Sequence, residues 1–84
     1  MASAEKAEKN YLKVRVDFLP DGRILPLMFR DETGQRVLID RVEDVRPAPA
    51  LKAGGQGTRY TCRVENGRIY LFHDRDRWFL ERIE

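Results

Sequence analysis

The feature that most constrains this chain is a strict alternation of apolar and polar residues that begins at Tyr11. Leu12, Val14, Val16 and Phe18 alternate with Lys13, Arg15 and Asp17. Successive side chains of a β-strand point to opposite faces, so this pattern predicts a strand with one buried and one wet face. Pro20-Asp21-Gly22-Arg23 closes it as a turn, because proline presets one dihedral and Gly22 accepts a positive φ. A second strand is expected over 24–30, with Leu25, Leu27 and Phe29 facing inward. Pro26 cannot donate a ladder hydrogen bond, which places that strand at an edge or beside a bulge.

The same grammar continues to the end of the chain. Asp31-Glu32-Thr33-Gly34 is the next turn signal. In the segment after it, Val37 and Ile39 alternate before the phase slips to Val42 and Val45. Its β-branched residues predict a long strand over 37–45 with a bulge near Asp40-Arg41, and a short helical turn is the alternative. Tyr60, Cys62 and Val64 share one face of a further strand. Asn66-Gly67 predicts a hairpin with a type I′ turn. The last two strands carry bulky residues on both faces, with Tyr70 and Phe72 against Ile69 and Leu71, and Phe79 against Trp78. Such strands suit the middle of a sheet or an outer face covered by a partner.

Every glycine lies between strand candidates, and the turns recur at nearly regular spacing. Parallel strands would need long crossovers that this chain lacks. The expected fold is therefore all-β, an antiparallel meander of about six strands closing into a small barrel, SH3-like or up-and-down, because closure removes exposed edges. Residues 11–84 read as this single domain, behind a polar leader at 1–10 with no apolar stripe.

Size sets the next limit. A chain of 84 residues buries little more than roughly 60% of its unfolded surface, and small domains often add disulfides or metals. Here a single cysteine, Cys62, excludes an internal disulfide, and one histidine with one cysteine makes a poor tetrahedral metal site. Neither a metal nor a cofactor is expected. No apolar run reaches the ~20 residues of a membrane span, and nothing near the start resembles a signal peptide. With its unpaired cysteine, the chain is expected in the cytoplasm.

Charge is abundant and nearly balanced, with 16 basic against 14 acidic residues, but 12 of the basic residues are arginine. Between Asp44 and Glu65 there is no acidic residue. The proline- and glycine-rich stretch over 47–58 lies in this window, and it supplies the candidate ligand-binding residues Arg46, Lys52, Gly54, Gly55, Gln56, Gly57 and Arg59. Glycines let backbone N–H groups approach an anion closely, and arginine forks suit phosphate. The stretch matches no nucleotide-binding fingerprint. Its plainer reading is a long connection across the end of the barrel.

No catalytic constellation is present. His73-Asp74-Arg75-Asp76 lacks a nucleophile and reads as a charged hairpin tip, and Cys62 reads as a core residue. Tyr11, Tyr60, Tyr70, Phe72 and Trp78 could stack nucleic-acid bases, but so small a chain needs them first for core volume. The expectation is a non-enzymatic binding or interaction module. A protein partner or self-association is expected, and the alternative is nucleic-acid or phosphate binding through 46–59.

DVRPAPALKAGGQGTRYTCRV (Asp44 to Val64) and RWFLERI (Arg77 to Ile83) resemble a family of small uncharacterised proteins from clostridia and related Gram-positive bacteria. The likeness covers most of Tyr11 to Glu84. It implies a compact β-rich fold and no particular activity.

Overall fold

The computed structural model describes residues 11–50 and 56–83, with only the backbone of Gln56. The expected leader at 1–10, and Lys52, Gly54 and Gly55, lie outside the described residues. Eight strands are formed: β1 (Tyr11–Leu12), β2 (Val14–Phe18), β3 (Ile24–Arg30), β4 (Arg36–Leu38), β5 (Arg41–Pro49), β6 (Gln56–Val64), β7 (Gly67–Asp74) and β8 (Arg77–Arg82). All pairings are antiparallel. They form a five-stranded sheet, β1-β8-β7-β6-β5, and a three-stranded sheet, β2-β3-β4.

The all-β antiparallel expectation is met, and the count of six strands is corrected. Two of the expected strands divide. The first leaves the five-stranded sheet at Lys13 and continues in the other, and the strand expected over 37–45 divides at Ile39 and Asp40. A strand that bends sharply can serve two packed sheets where a straight one cannot. The closed barrel is corrected too: among the described residues the ladders form two separate sheets. Backbone hydrogen bonds still tie the corners, from Arg30 N to Lys13 O at 3.0 Å and from Asp40 N to Arg63 O at 2.8 Å. The 37–45 segment is extended and not helical. Besides its break at 39–40 it carries a bulge at Glu43, between Val42 and Asp44.

A second bulge decides which side of β3 faces the core. Arg15 pairs with Met28 and Val16 with Pro26, so Leu27 is the extra residue. Inward phase is therefore carried by Ile24, Pro26 and Phe29, and Leu25 and Leu27 do not join the core as the simple alternation predicts. Pro26 does lie beside a bulge, in the middle strand of its sheet, where its missing N–H disturbs a ladder already interrupted.

The main core lies between the sheets. Phe29 meets Tyr60, Cys62, Ile69, Leu71 and Trp78, with Leu12, Val14, Val16, Val37 and Val42 packed around them. The Tyr60 hydroxyl donates to the Ile24 carbonyl at 3.1 Å, a polar tie across the same gap. A second cluster lies on the other face of the five-stranded sheet, where Phe72 and Phe79 stack at 5.1 Å under Ala50. The two-sided pattern of the last strands thus matches their place in the five-stranded sheet.

Turn chemistry follows the sequence at two hairpins and departs from it at a third. Gly22 and Gly34 take φ of 92° and 89°, and the Asp21 and Asp31 carboxylates accept from backbone N–H groups two residues on. At the third, Val64 pairs with Gly67, so Glu65 and Asn66 are the central residues. A type I′ turn needs φ above zero at both of these positions. Among the described residues the one non-glycine with positive φ is Arg75, so this hairpin is not type I′.

Candidate anion-binding surface

Much of the expected loop over 47–58 is a β-ribbon. Pro47, Ala48 and Pro49 pair with Thr58, Gly57 and Gln56, which lengthens β5 and β6 beyond the positions that alternation marked. The phase-free composition of prolines and small residues hid these pairs. Arg46 and Arg59 are directly opposite each other on this ribbon, so the structure brings together two of the proposed anion-binding cations.

Each of the two already has company. The Arg46 guanidinium donates to both oxygens of Asp44, at 2.7 and 3.1 Å. That hydrogen bond holds the Asp44 carboxyl below its ordinary range and raises Arg46 above its own. The Arg59 guanidinium lies 4.5 Å from the centre of the Tyr70 ring, a cation–π contact. Its Nε is buried and makes no hydrogen bond among the described residues. Farther along, Glu43 accepts from Arg63 at 3.3 Å and from Arg68 at 2.7 Å. The acid-free window of the sequence is thus bordered by two carboxylates: Asp44 reaches Arg46 within β5, and Glu43 reaches Arg63 because β5 pairs with β6.

Gly57 has a structural duty. A Cβ there would stand 2.8 Å from the His73 carbonyl oxygen, closer than real side chains approach. The open depression of about 640 Å³ beside it has Asp74 and His73 in its wall. The His73 ring is stacked on Trp78 at 4.4 Å. Asp74 and Arg77 pair across the tight turn at 75–76, so the His-Asp-Arg-Asp tip is a hairpin end, as expected.

No family model, curated protein or solved structure matches this chain. The site must therefore be read from its own chemistry.

Cys62 is fully buried, and its thiol points to the Tyr60 carbonyl oxygen at 3.7 Å. Burial, with a smaller contribution from the Glu43 carboxylate, pushes it up to about 12, so the thiolate that would react is suppressed. Of the aromatic residues considered for stacking, Tyr60, Phe72 and Trp78 are buried. Tyr70 lies under Arg59. Tyr11 is the exposed one of that group, with Arg77 4.9 Å above its ring.

A second cationic surface escaped the sequence reading. On the outer face of the three-stranded sheet Arg30 lies opposite Arg36, and Met28 lies between Arg15 and Leu38. The signal was present in Lys13, Arg15 and Asp17 as the wet face of the first strand. Nothing in local spacing says that Arg30 and Arg36 join it.

Proposed function

We propose that this protein is a non-enzymatic binding module that meets a macromolecular partner on its sheet surfaces. The observation that supports this most is the exposure of large apolar side chains on a small domain whose interior already holds Phe29, Tyr60, Phe72, Trp78 and Phe79. Phe18 is 76% exposed, Leu38 65% and Val45 51%. Leu38 stands on the outer face of the three-stranded sheet with Arg15, Arg30 and Arg36, and protein interfaces are enriched in that combination of arginine and large apolar groups. A cytoplasmic location and kinship with the small clostridial family belong to the same proposal.

Sedimentation of the tagged protein in a lysate of the cells that make it tests the reading. A species well above the free 9.9 kDa chain is expected. Migration as the free monomer would overturn the reading.

A second reading, phosphate or nucleic-acid binding through 46–59, is favoured by the direct opposition of Arg46 and Arg59. Replacing both with alanine should then flatten the salt dependence of binding to a polyanion. An unchanged slope would remove this reading.

A further inference from the structure

We infer that the outer face of the three-stranded sheet binds single-stranded nucleic acid, with phosphates on Lys13, Arg15, Arg30 and Arg36 and a base against Met28 and Leu38. This rests on the binding-module reading and names the partner class and the face.

Register fixes which side chains share that face. Val14, Phe29 and Val37 form one cross-strand row and all pack into the core. The neighbouring rows must then point outward. One of them is Arg15, Met28 and Leu38, and the other is Arg30 and Arg36, with Lys13 alongside through its backbone contact to Arg30. All four cations are exposed, and Leu38 stands among them.

Like charges directly opposite each other destabilise a sheet unless something offsets them. This protein opposes arginines repeatedly, at Arg41 and Arg63, Arg63 and Arg68, Arg46 and Arg59, and Arg30 and Arg36. In the first three cases Glu43, Asp44 or the Tyr70 ring meets at least one member. Arg30 and Arg36 have no carboxylate partner among the described residues, and Arg30 donates to the Gly34 carbonyl at 2.8 Å. The nearby Asp31 is committed to its own turn, its carboxylate accepting from Thr33 and Gln35. Asp17 lies farther along β2, opposite Leu25, and Glu32 is exposed in the turn. Asp40 and Glu65 line the same depression as Arg36, but no carboxylate among the described residues ion-pairs with either arginine, so an external anion would complete the pair.

The distribution selects the anion. Arg15, Arg30 and Arg36 on three successive strands, with Lys13 just before the first of them, form a band and suit a repeating anion better than a lone phosphate. Three of them are arginine, whose planar fork suits phosphate oxygens. The apolar centre gives a splayed base a surface, which a duplex would not use because its bases are stacked inside.

Fluorescence anisotropy with labelled RNA and DNA strands of about 12 nucleotides, from about 50 to about 300 mM salt, tests the inference. Wild-type protein should bind with an affinity that falls steeply with salt. Arg15→Ala with Arg36→Ala should reduce the slope of log affinity against log salt by about 1.4, from about 0.7 per phosphate contact on a single strand. Leu38→Ala should weaken binding and leave that slope unchanged. Arg36→Ala also removes the opposed charge, so its melting temperature should equal or exceed that of the wild type, which separates lost binding from lost folding.

Three outcomes would overturn the inference. One is no oligonucleotide binding at the lowest salt, with or without binding to phosphatidylserine vesicles. Another is an unchanged slope in the Arg15/Arg36 variant. The third is loss confined to the charge-matched Arg46→Ala, Arg59→Ala protein. The wider reading fails separately, when the protein sediments as a free monomer in lysate.

Discussion

The outer faces of the two sheets use the same alphabet and spend it differently. On the five-stranded sheet, opposed arginines are met by Glu43, Asp44 or the Tyr70 ring, and Phe72 and Phe79 lie buried beneath Ala50. On the three-stranded sheet, Arg30 opposes Arg36 with no carboxylate partner among the described residues, and Leu38 stands in solvent. On the first face most guanidinium groups find company within the chain, although Arg59 Nε stays without a hydrogen bond among the described residues. The other leaves charge and apolar area to be satisfied from outside. Arginine content alone therefore says little about binding; what matters is whether the fold brings a counter-charge to each guanidinium.

The sharpest way to break this comparison is to truncate one apolar residue on each face. Phe72→Ala should cost about 3–5 kcal/mol, since it removes a buried ring and leaves a cavity. Leu38→Ala should stay within about 0.5 kcal/mol, as surface changes usually do. Urea denaturation of the two variants measures both, with Phe72→Leu as the milder substitution if the first fails to fold. Equal losses would mean that Leu38 is structural and the faces do not differ.

Gly57→Ala comes next. The added methyl meets the His73 carbonyl oxygen, and the overpacked strand should lose about 1–3 kcal/mol. A neutral result in the same denaturation assay would free Gly57 from its packing duty and return it to the candidate ligand site.

Alkaline pH gives a smaller effect. The folded Cys62 thiol is pushed from its ordinary 9.0 up to about 12, mainly by burial. The unfolded thiol loses its proton first, so the stability held by neutral Cys62 is fully present below about 9 and is lost as pH rises toward about 12. Tyr60, raised by burial as well, acts in the same direction. Stability measured against pH should decline over this range, and Cys62→Ala should make the decline shallower. An unchanged decline would leave Cys62 out of it.

The smallest effect on stability, and the most telling for the comparison, is expected of Asp44→Asn. This salt bridge is exposed and contributes little to folding, but its loss releases Arg46 beside Arg59. The five-stranded face should then gain salt-sensitive affinity for oligonucleotides, read by anisotropy. No gain would show that carboxylate compensation is not what separates the two faces.

Much of this was legible from local pattern. The alternation of Tyr60, Cys62 and Val64 and the two-sided bulk of Ile69 to Phe72 placed the core correctly, because burial on a strand follows residue parity. Asp21, Gly22, Asp31 and Gly34 announced their turns through backbone preferences that need no tertiary partner. Simple alternation misplaces Leu25 and Leu27 because one bulge at Leu27 shifts the parity of the residues before it relative to Phe29, and nothing in ILPLMFR marks which residue is extra. From sequence the ribbon at 47–49 and 56–58 reads as a loop, since Pro-Ala-Pro and Gln-Gly-Thr carry no alternation. Lys52, Gly54 and Gly55 lie outside the described residues.

By itself, then, the sequence determined an all-β, antiparallel chain with a buried thiol and interior aromatics, because strand parity and turn propensity are properties of neighbours. The division into two sheets, the opposition of Arg46 to Arg59 and of Arg30 to Arg36, and the arrival of Glu43 beside Arg63 and Arg68 were decided only in three dimensions. Register and bulges set those meetings, and electrostatic balance depends on distance in space, which an acid-free stretch of sequence does not measure.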